Sequence, residues 1–303
     1  MDRAFSAAHA AGQECMEVIP WVNHMRLVRN LCDMNEAINE IGCADSRLPR
    51  TGGNENTGLI KLIAIACMIV DHVGVAFYPR VYELRLIGRI AFPLFAWCLC
   101  VGAVYTRNIW KYALRLLIVG TLAQPIYSWA MNHQWSNLDI FFELLIGLLA
   151  IAGIQKNWKG SRYWGPVLAL IAGLALPLKN SYGWQGILFI LLLYACRYRR
   201  SAIAAIMIAF CLYWGQGTLR LTTLFGWIIP NEVSFLPNAS GLLNDLSRIQ
   251  FWAILAMPLM VIPMGKRLRL PKWIPYAAYP LHLLVIGAIR HWNQIQSMVS
   301  QWL

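Results

Sequence analysis

From Gly58 onward the chain alternates long apolar stretches with short polar breaks. The apolar runs lie near residues 58–78, 85–105, 111–131, 136–155, 162–178, 183–196, 201–214, 249–264 and 273–290. A helix crosses a bilayer with about 20 predominantly apolar residues, a length some runs reach and others fall short of. The pattern predicts an all-α fold, a polytopic membrane helix bundle of about nine (eight to ten) transmembrane helices. The range comes from residues 215–248, where Leu219–Pro230 is apolar but short. That segment reads as a re-entrant or interfacial helix, or as a tenth span. Residues 1–57 hold no spanning run, and around Val18–Leu31 apolar residues mix with Arg26 and Arg29 as in an amphipathic surface helix. The chain thus divides into an N-terminal cytoplasmic extension, 1–57, partly disordered or amphipathic, and a transmembrane domain, 58–303.

Composition supports this division. Apolar residues make up 58% of the chain and charged residues 13%, about half the usual share of a soluble domain. Disorder, a collagen-like rod and an ordinary soluble enzyme fit poorly. The net charge of +12 is unevenly spread: residues 1–57 carry −3 and residues 58–303 carry +15. The basic residues fall in alternate breaks, at Arg107 and Lys111, at Lys156, Lys159 and Arg162, at Arg197, Arg199 and Arg200, and at Lys266, Arg267, Arg269 and Lys272. Loops rich in Lys and Arg stay in the cytoplasm, so this alternation places the N-terminus inside and, with nine spans, the C-terminus outside. Tryptophans near the span ends, among them Trp110, Trp135, Trp158 and Trp273, suit an aromatic belt facing membrane lipids. No basic run is interleaved with aromatics on a polar face, which argues against a nucleic-acid partner. The eight cysteines form no C-x-x-C and no Cys/His cluster at ligand spacing, so no metal is expected.

The informative chemistry is what remains charged inside the spans, because a charge at membrane depth costs at least about 2.5 kcal/mol. Those residues are Lys61, Asp71, His72, Arg85, Arg89, Arg115, Asp139, Glu143 and His282. Lys61 and His72 are eleven residues apart, on nearly one helical face and about 16 Å apart along the axis. Asp71 and His72 are sequence neighbours and cannot face each other on a regular helix, so Asp71 is expected to pair with Arg85 or Arg89. Those two arginines share a face, an arrangement that suits an anion or carboxylate between them, or snorkelling to the interface. Asp139 and Glu143 also share a face and are expected to pair with Arg115. Tyr279 and His282 are three residues apart on one face, beside Pro280, whose ring interrupts the helix. These residues suit either a buried polar site with a histidine general base or a proton-coupled transporter.

Several ordered stretches resemble the TraX family: Gly58–Ala64 (GLIKLIA), Met68–Gly74 (MIVDHVG), Leu84–Phe95 (LRLIGRIAFPLF), Tyr105–Asn108 (YTRN), Lys111–Leu117 (KYALRLL), Ser181–Gly183 (SYG) and Tyr279–Leu284 (YPLHLL). The resemblance covers most of residues 58–290. It departs at Ser181, where the family pattern has an acidic residue, and at Asp139 and Glu143, where it has Asn and Thr. TraX proteins resemble distant relatives of the large integral-membrane acyltransferases, many of which carry a basic residue eleven positions before a first-helix histidine, as Lys61 and His72 do.

The resemblance implies an integral-membrane acetyltransferase of the bacterial inner membrane. It would move an acetyl group from acetyl-CoA, as co-substrate, to the N-terminal amine of a conjugative pilin subunit. It would make His72 and Asp71 catalytic. Lys61, Arg85, Arg89, Arg107, Lys111, Arg115, Tyr182, Tyr279 and His282 would bind acyl-CoA or substrate. An O-acetyltransferase of a surface glycan, a small-molecule transporter and a non-catalytic pilus assembly factor are the alternatives. No inverted repeat of broken helices favours the transporter.

Overall fold

The computed structural model describes residues 51–178, 182–215, 218–221, 223–224, 227–228, 246–264, 268, 270–271 and 273–292. The amphipathic stretch near 18–31, Ser181 and the basic residues Lys266, Arg267, Arg269 and Lys272 lie outside these. The described residues form helices almost throughout: α1 (Thr57–Phe77), α2 (Tyr82–Gly88), α3 (Ala91–Tyr105), α4 (Ile109–Met131), α5 (Ile140–Lys156), α6 (Ser161–Ala175), α7 (Gly183–Ala195), α8 (Arg200–Gly215), a 3₁₀ segment (Ile249–Ala256), α9 (Met257–Val261) and α10 (Ile274–Arg290).

Local chemistry sets the boundaries. Asn56, Asn108 and Asp139 cap α1, α4 and α5, each side-chain oxygen accepting a hydrogen bond from a first-turn amide. Asn132 and Asn157 end α4 and α5 at positive φ, 55° and 46°, a conformation asparagine tolerates better than most residues. One expectation is refined here and one is corrected. The apolar run 85–105 is found as the stretch Tyr82–Tyr105, in which the hydrogen-bond ladder is interrupted between α2 and α3 at Arg89–Ile90 while both residues keep helical backbone angles. Pro93 accounts for the break: it offers no amide to Arg89, four residues back, and its ring crowds that carbonyl. The apolar Leu219–Pro230 segment is not helical where it is described. Thr223–Leu224 and Trp227–Ile228 pair as β1 and β2 of a short antiparallel hairpin, a small exception to the all-α expectation.

α3 forms the centre. It is apolar on every face, and eleven of its positions, from Ala91 to Ala103, are buried. α1 and α7 pack against it, and α10 lies along α4 and α1. Residues 51–56 thread into one end of the bundle. Asn54 is fully buried there. Its amide donates to the Met260 carbonyl at 2.7 Å, its side chain to the Leu259 carbonyl at 2.8 Å, and its own carbonyl accepts from Trp97 Nε1 at 2.8 Å. The same end gathers Gly52 with Arg197, Asn56 with Leu268, Gln155 with Ala103 and Tyr194, and Glu55 with Tyr105. The opposite end joins Leu138 to Pro177 and Arg290 to Ala130. The basic breaks that were described thus meet at one end of the bundle, and the Lys/Arg-free loop 132–135 lies at the other.

The outward faces are apolar too. Leu114, Leu117, Ile118 and Leu122 on α4, Val167, Leu168, Ile171 and Leu174 on α6, and Leu281, Leu284, Val285 and Ile289 on α10 are exposed. Patches of this extent are rare on soluble monomers. Among the described residues two stretches, Thr57–Phe77 and Tyr82–Tyr105, are long and apolar enough to cross a membrane. Gly183–Ala195, Arg200–Trp214, Ile249–Val261 and Ile274–Arg290 are shorter apolar helices of 10–17 residues.

Candidate functional site

A cavity of about 930 Å³ runs into the bundle between α1, α3, α4, α5 and α10. At the end where residues 51–57 are threaded, Lys61, Arg107, Lys111 and Arg115 line it, with Asn108 and Thr106 beside them. Deeper in, the walls are apolar or aromatic, including Met68, Leu99, Leu116, Phe141 and Leu144. Among the described residues no acidic side chain lines it. Tyr112, Tyr276 and Tyr279 supply phenols along its length. Tyr112 and Tyr276 were not anticipated from sequence. Tyr276, Tyr279 and His282 recur every third residue of α10, and that spacing was the available signal.

Tyr279 links the cavity to the histidines. Its ring lies edge-on to His72 at 6.1 Å and to His282 at 5.5 Å between centroids, and against Phe141 at 5.0 Å. His72 itself does not line the cavity. It stands one helical turn beyond Met68, a lining residue of the same helix. His72 Nδ1 and His282 Nε2 are 2.6 Å apart, and His282 Nδ1 is 2.8 Å from the Ala278 carbonyl. The two histidines within the apolar runs, 210 residues apart, therefore form one hydrogen-bonded pair.

Asp71 turns to the other side of α1. Arg89 Nη2 donates to both its oxygens, at 3.3 and 3.4 Å, and Arg85 Nε lies 3.8 Å from Oδ1. Gly88, between the two arginines on α2, makes this approach possible, because a Cβ there would run into Asp71. Tyr182 belongs to this cluster and not to the cavity: its ring packs on Phe92 at 4.0 Å and on Trp214 at 4.1 Å, and its amide donates to Glu143 Oε2 at 3.0 Å.

Asp139 and Glu143 do not pair with Arg115, which corrects a sequence expectation. Asp139 caps the start of α5, accepting from the Phe141 amide at 3.1 Å, while its own amide donates to Gln124 Oε1 at 3.0 Å. Arg115 lines the cavity near its basic end, whereas Asp139 Oδ1 sits beside Gly120, five residues and about 7.5 Å further along α4, and Glu143 turns to the Tyr182 amide. The partners each carboxylate turns to, which a shared helical face does not report, separate them. Among the described residues no group of three or more His, Cys, Asp or Glu side chains is placed to hold a metal ion.

An apolar-surfaced helical bundle, with a basic-mouthed cavity leading toward a histidine pair, defines the class. The family model described as TraX protein matches residues 56–290, and the chain belongs to the TraX family. Outward apolar faces and family membership together point to a membrane protein. The chain is similar to the probable fimbrial assembly protein FimC, serogroup H1, of Dichelobacter nodosus, 34% identical over 145 residues, covering 44% of this chain and 59% of that one. It is also similar to Protein TraX of Escherichia coli, 31% identical over 160 residues, covering 50% of this chain and 62% of that one. The chain thus spans about six-tenths of the length of these relatives. No solved structure matches it.

Proposed function

We propose that this protein is an acetyl-CoA-dependent acetyltransferase of the bacterial inner membrane, acting on the N-terminal amine of a pilin subunit. The cavity carries this reading. Its mouth collects Lys61, Arg107, Lys111 and Arg115, with no acid among the described lining residues, a donor set suited to the phosphates of coenzyme A. Its apolar depth suits the pantetheine arm and an acetyl group, and its volume falls in the range of ligand sites. In this reading the bundle crosses the membrane about nine times with the N-terminus and the basic mouth in the cytoplasm, where acetyl-CoA is made. The gathering of the described basic breaks at one end supports that orientation.

The residues then divide the work. The four cations hold the donor by its phosphates. Tyr279 closes the deep end, where its hydroxyl is suited to orient the thioester carbonyl. An α-amine has a pKa of about 7.7–8.0, so most of it carries an extra proton at neutral pH, and His72 removes that proton before attack. Arg89 and Arg85 hold Asp71, which keeps α1 and α2 together beside His72. The names of two relatives, a fimbrial assembly protein and TraX, support a pilin acceptor.

Intact-mass analysis of pilin co-expressed with each variant tests this. Wild-type protein adds the mass of one acetyl group and His72→Ala does not, while membrane insertion is retained. Full acetylation by His72→Ala refutes the base. Acetyl-CoA binding by purified protein, weakened by Lys111→Glu, separates the enzyme from a transporter or an assembly factor. Binding without a mass change on pilin moves the acceptor to a glycan hydroxyl.

A further inference from the structure

His72 needs a partner to act as a base, because an imidazole presents its lone pair to substrate only if its other nitrogen holds the proton. The neighbouring carboxylate does not serve, since Asp71 is turned to Arg89 and Arg85. The partner comes instead from α10. The planes of His72 and His282 lie within 4° of parallel with centroids 4.9 Å apart. They are joined edge to edge and not stacked face to face, because stacked planes stand about 3.5 Å apart and could not bring two nitrogens to 2.6 Å.

The hydrogen bonds then assign the protons. The Ala278 carbonyl only accepts, so His282 Nδ1 carries a hydrogen and donates to it over 2.8 Å. Neutral His282 therefore offers a lone pair at Nε2, and His72 Nδ1 must donate to it. The remaining nitrogen of His72, Nε2, is left with its lone pair.

We propose that His282 is a positioning residue that holds His72 as the Nδ1–H tautomer with Nε2 free to take the proton of the acceptor amine. The chain of command is Ala278 carbonyl, His282, His72. It spans two helices, so it exists only when α10 is docked on α1. Pro280 lies between Ala278 and His282 and denies Tyr276 a helical hydrogen bond at this turn. When the amine gives its proton to His72 Nε2, His72 becomes an imidazolium whose Nδ1–H still donates to His282. That first proton passes to water; the neutral amine then attacks the thioester carbon, its second proton goes to His72 Nε2 as the C–N bond forms, and that proton leaves to the thiolate as the C–S bond breaks, so each turnover releases the thiol and one proton.

This proposal rests on His72 acting as the base, and its test separates the two. Rates of thiol release are measured with acetyl-CoA and a pilin-derived peptide bearing a free N-terminal amine, using full-length protein in lipid nanodiscs. His282→Ala lowers kcat about 100-fold or more with an unchanged KM for acetyl-CoA, as expected when a base loses the group that sets its tautomer. His282→Gln places a side-chain oxygen where Nε2 stood and keeps kcat within about tenfold of wild type. Equal losses in the Ala and Gln variants, or a change in KM alone, overturn the positioning role. If His72→Ala abolishes turnover while His282→Ala retains it fully, this inference fails and the base survives. If His72→Ala is active, the base itself fails. The ¹⁵N spectrum of histidine-labelled protein reads the tautomer without turnover, with the His72 signal identified by its absence in His72→Ala. The Nδ1–H form of His72 in wild type, lost in His282→Ala, supports the proposal. An Nε2–H form in wild type refutes it.

Discussion

Replacing Gly88 with alanine adds one carbon to the tightest contact beside the histidine pair. A Cβ at this position would lie far inside van der Waals distance of Asp71 Cβ, Cγ and Oδ1. Carbon atoms settle about 3.5–4.0 Å apart, so α1 and α2 must separate by roughly an ångström. Overpacking of this kind costs about 1–3 kcal/mol. The same separation stretches Arg89 Nη2 from Asp71, already at 3.3 and 3.4 Å, and a lost charge-assisted hydrogen bond adds about 1.5–3 kcal/mol. Together the loss is about 3–5 kcal/mol, or a fall in Tm of roughly 6–20 °C for a chain of this size. Thermal unfolding of the purified protein in detergent, followed by tryptophan fluorescence, measures it. Asp71→Gly removes the obstructing side chain, so Gly88→Ala made in that background costs under half as much. Gly165→Ala serves as the control: among the described residues the atom nearest its added Cβ is Gly153 Cα at 3.7 Å, an ordinary contact. A Tm for Gly88→Ala within 2 °C of wild type, or an equal fall for Gly165→Ala, refutes the reasoning.

Charge reversal at Lys111 raises the KM for acetyl-CoA about tenfold or more with little change in kcat, and added salt narrows the gap; an unchanged KM excludes the basic mouth as the phosphate site. Asn54→Ala removes both side-chain bonds of a fully buried residue, to the Leu259 carbonyl and the Asn56 amide, and lowers stability by about 2–4 kcal/mol in the same thermal assay. Gly186→Ala drives a Cβ into Glu143 Oε1 and the ring of Phe92, so it destabilises at least as much as Gly88→Ala. Burial first and Arg290 second hold the His133 ring below the ordinary histidine range. Below a pH of about 6.5 the unfolded chain therefore binds a proton that the folded loop resists, and stability falls as pH drops. His133→Gln flattens that part of the stability profile, and an identical slope in both proteins contradicts the assignment.

The apolar runs and their polar breaks were enough to place nearly every helix, because a segment that must bury or solvate its whole backbone as helix advertises itself by local composition. They were not enough to show the interrupted hydrogen-bond ladder before Pro93, or the hairpin near Thr223, where the sequence stays apolar while the backbone turns to strand. The candidate residues were legible because charge within an apolar span is costly and therefore conspicuous. Helical spacing also showed that Asp71 could not face His72.

Spacing says nothing about which helices become neighbours or at what depth two side chains meet. Those are set by packing between segments far apart in the chain. Packing gives Asp71 to Arg89 across the gap left by Gly88. It turns Asp139 to the first-turn amides of α5 and Glu143 to the Tyr182 amide, and leaves Arg115 on the cavity wall. It closes His72 onto His282 across 210 residues, at a distance where one proton is shared and its direction is decided by the Ala278 carbonyl. The sequence by itself determined a greasy, basic, helical chain with a short list of buried ionisable groups. Only the tertiary structure decided which of them work as pairs, because a hydrogen bond depends on the last ångström between two helices.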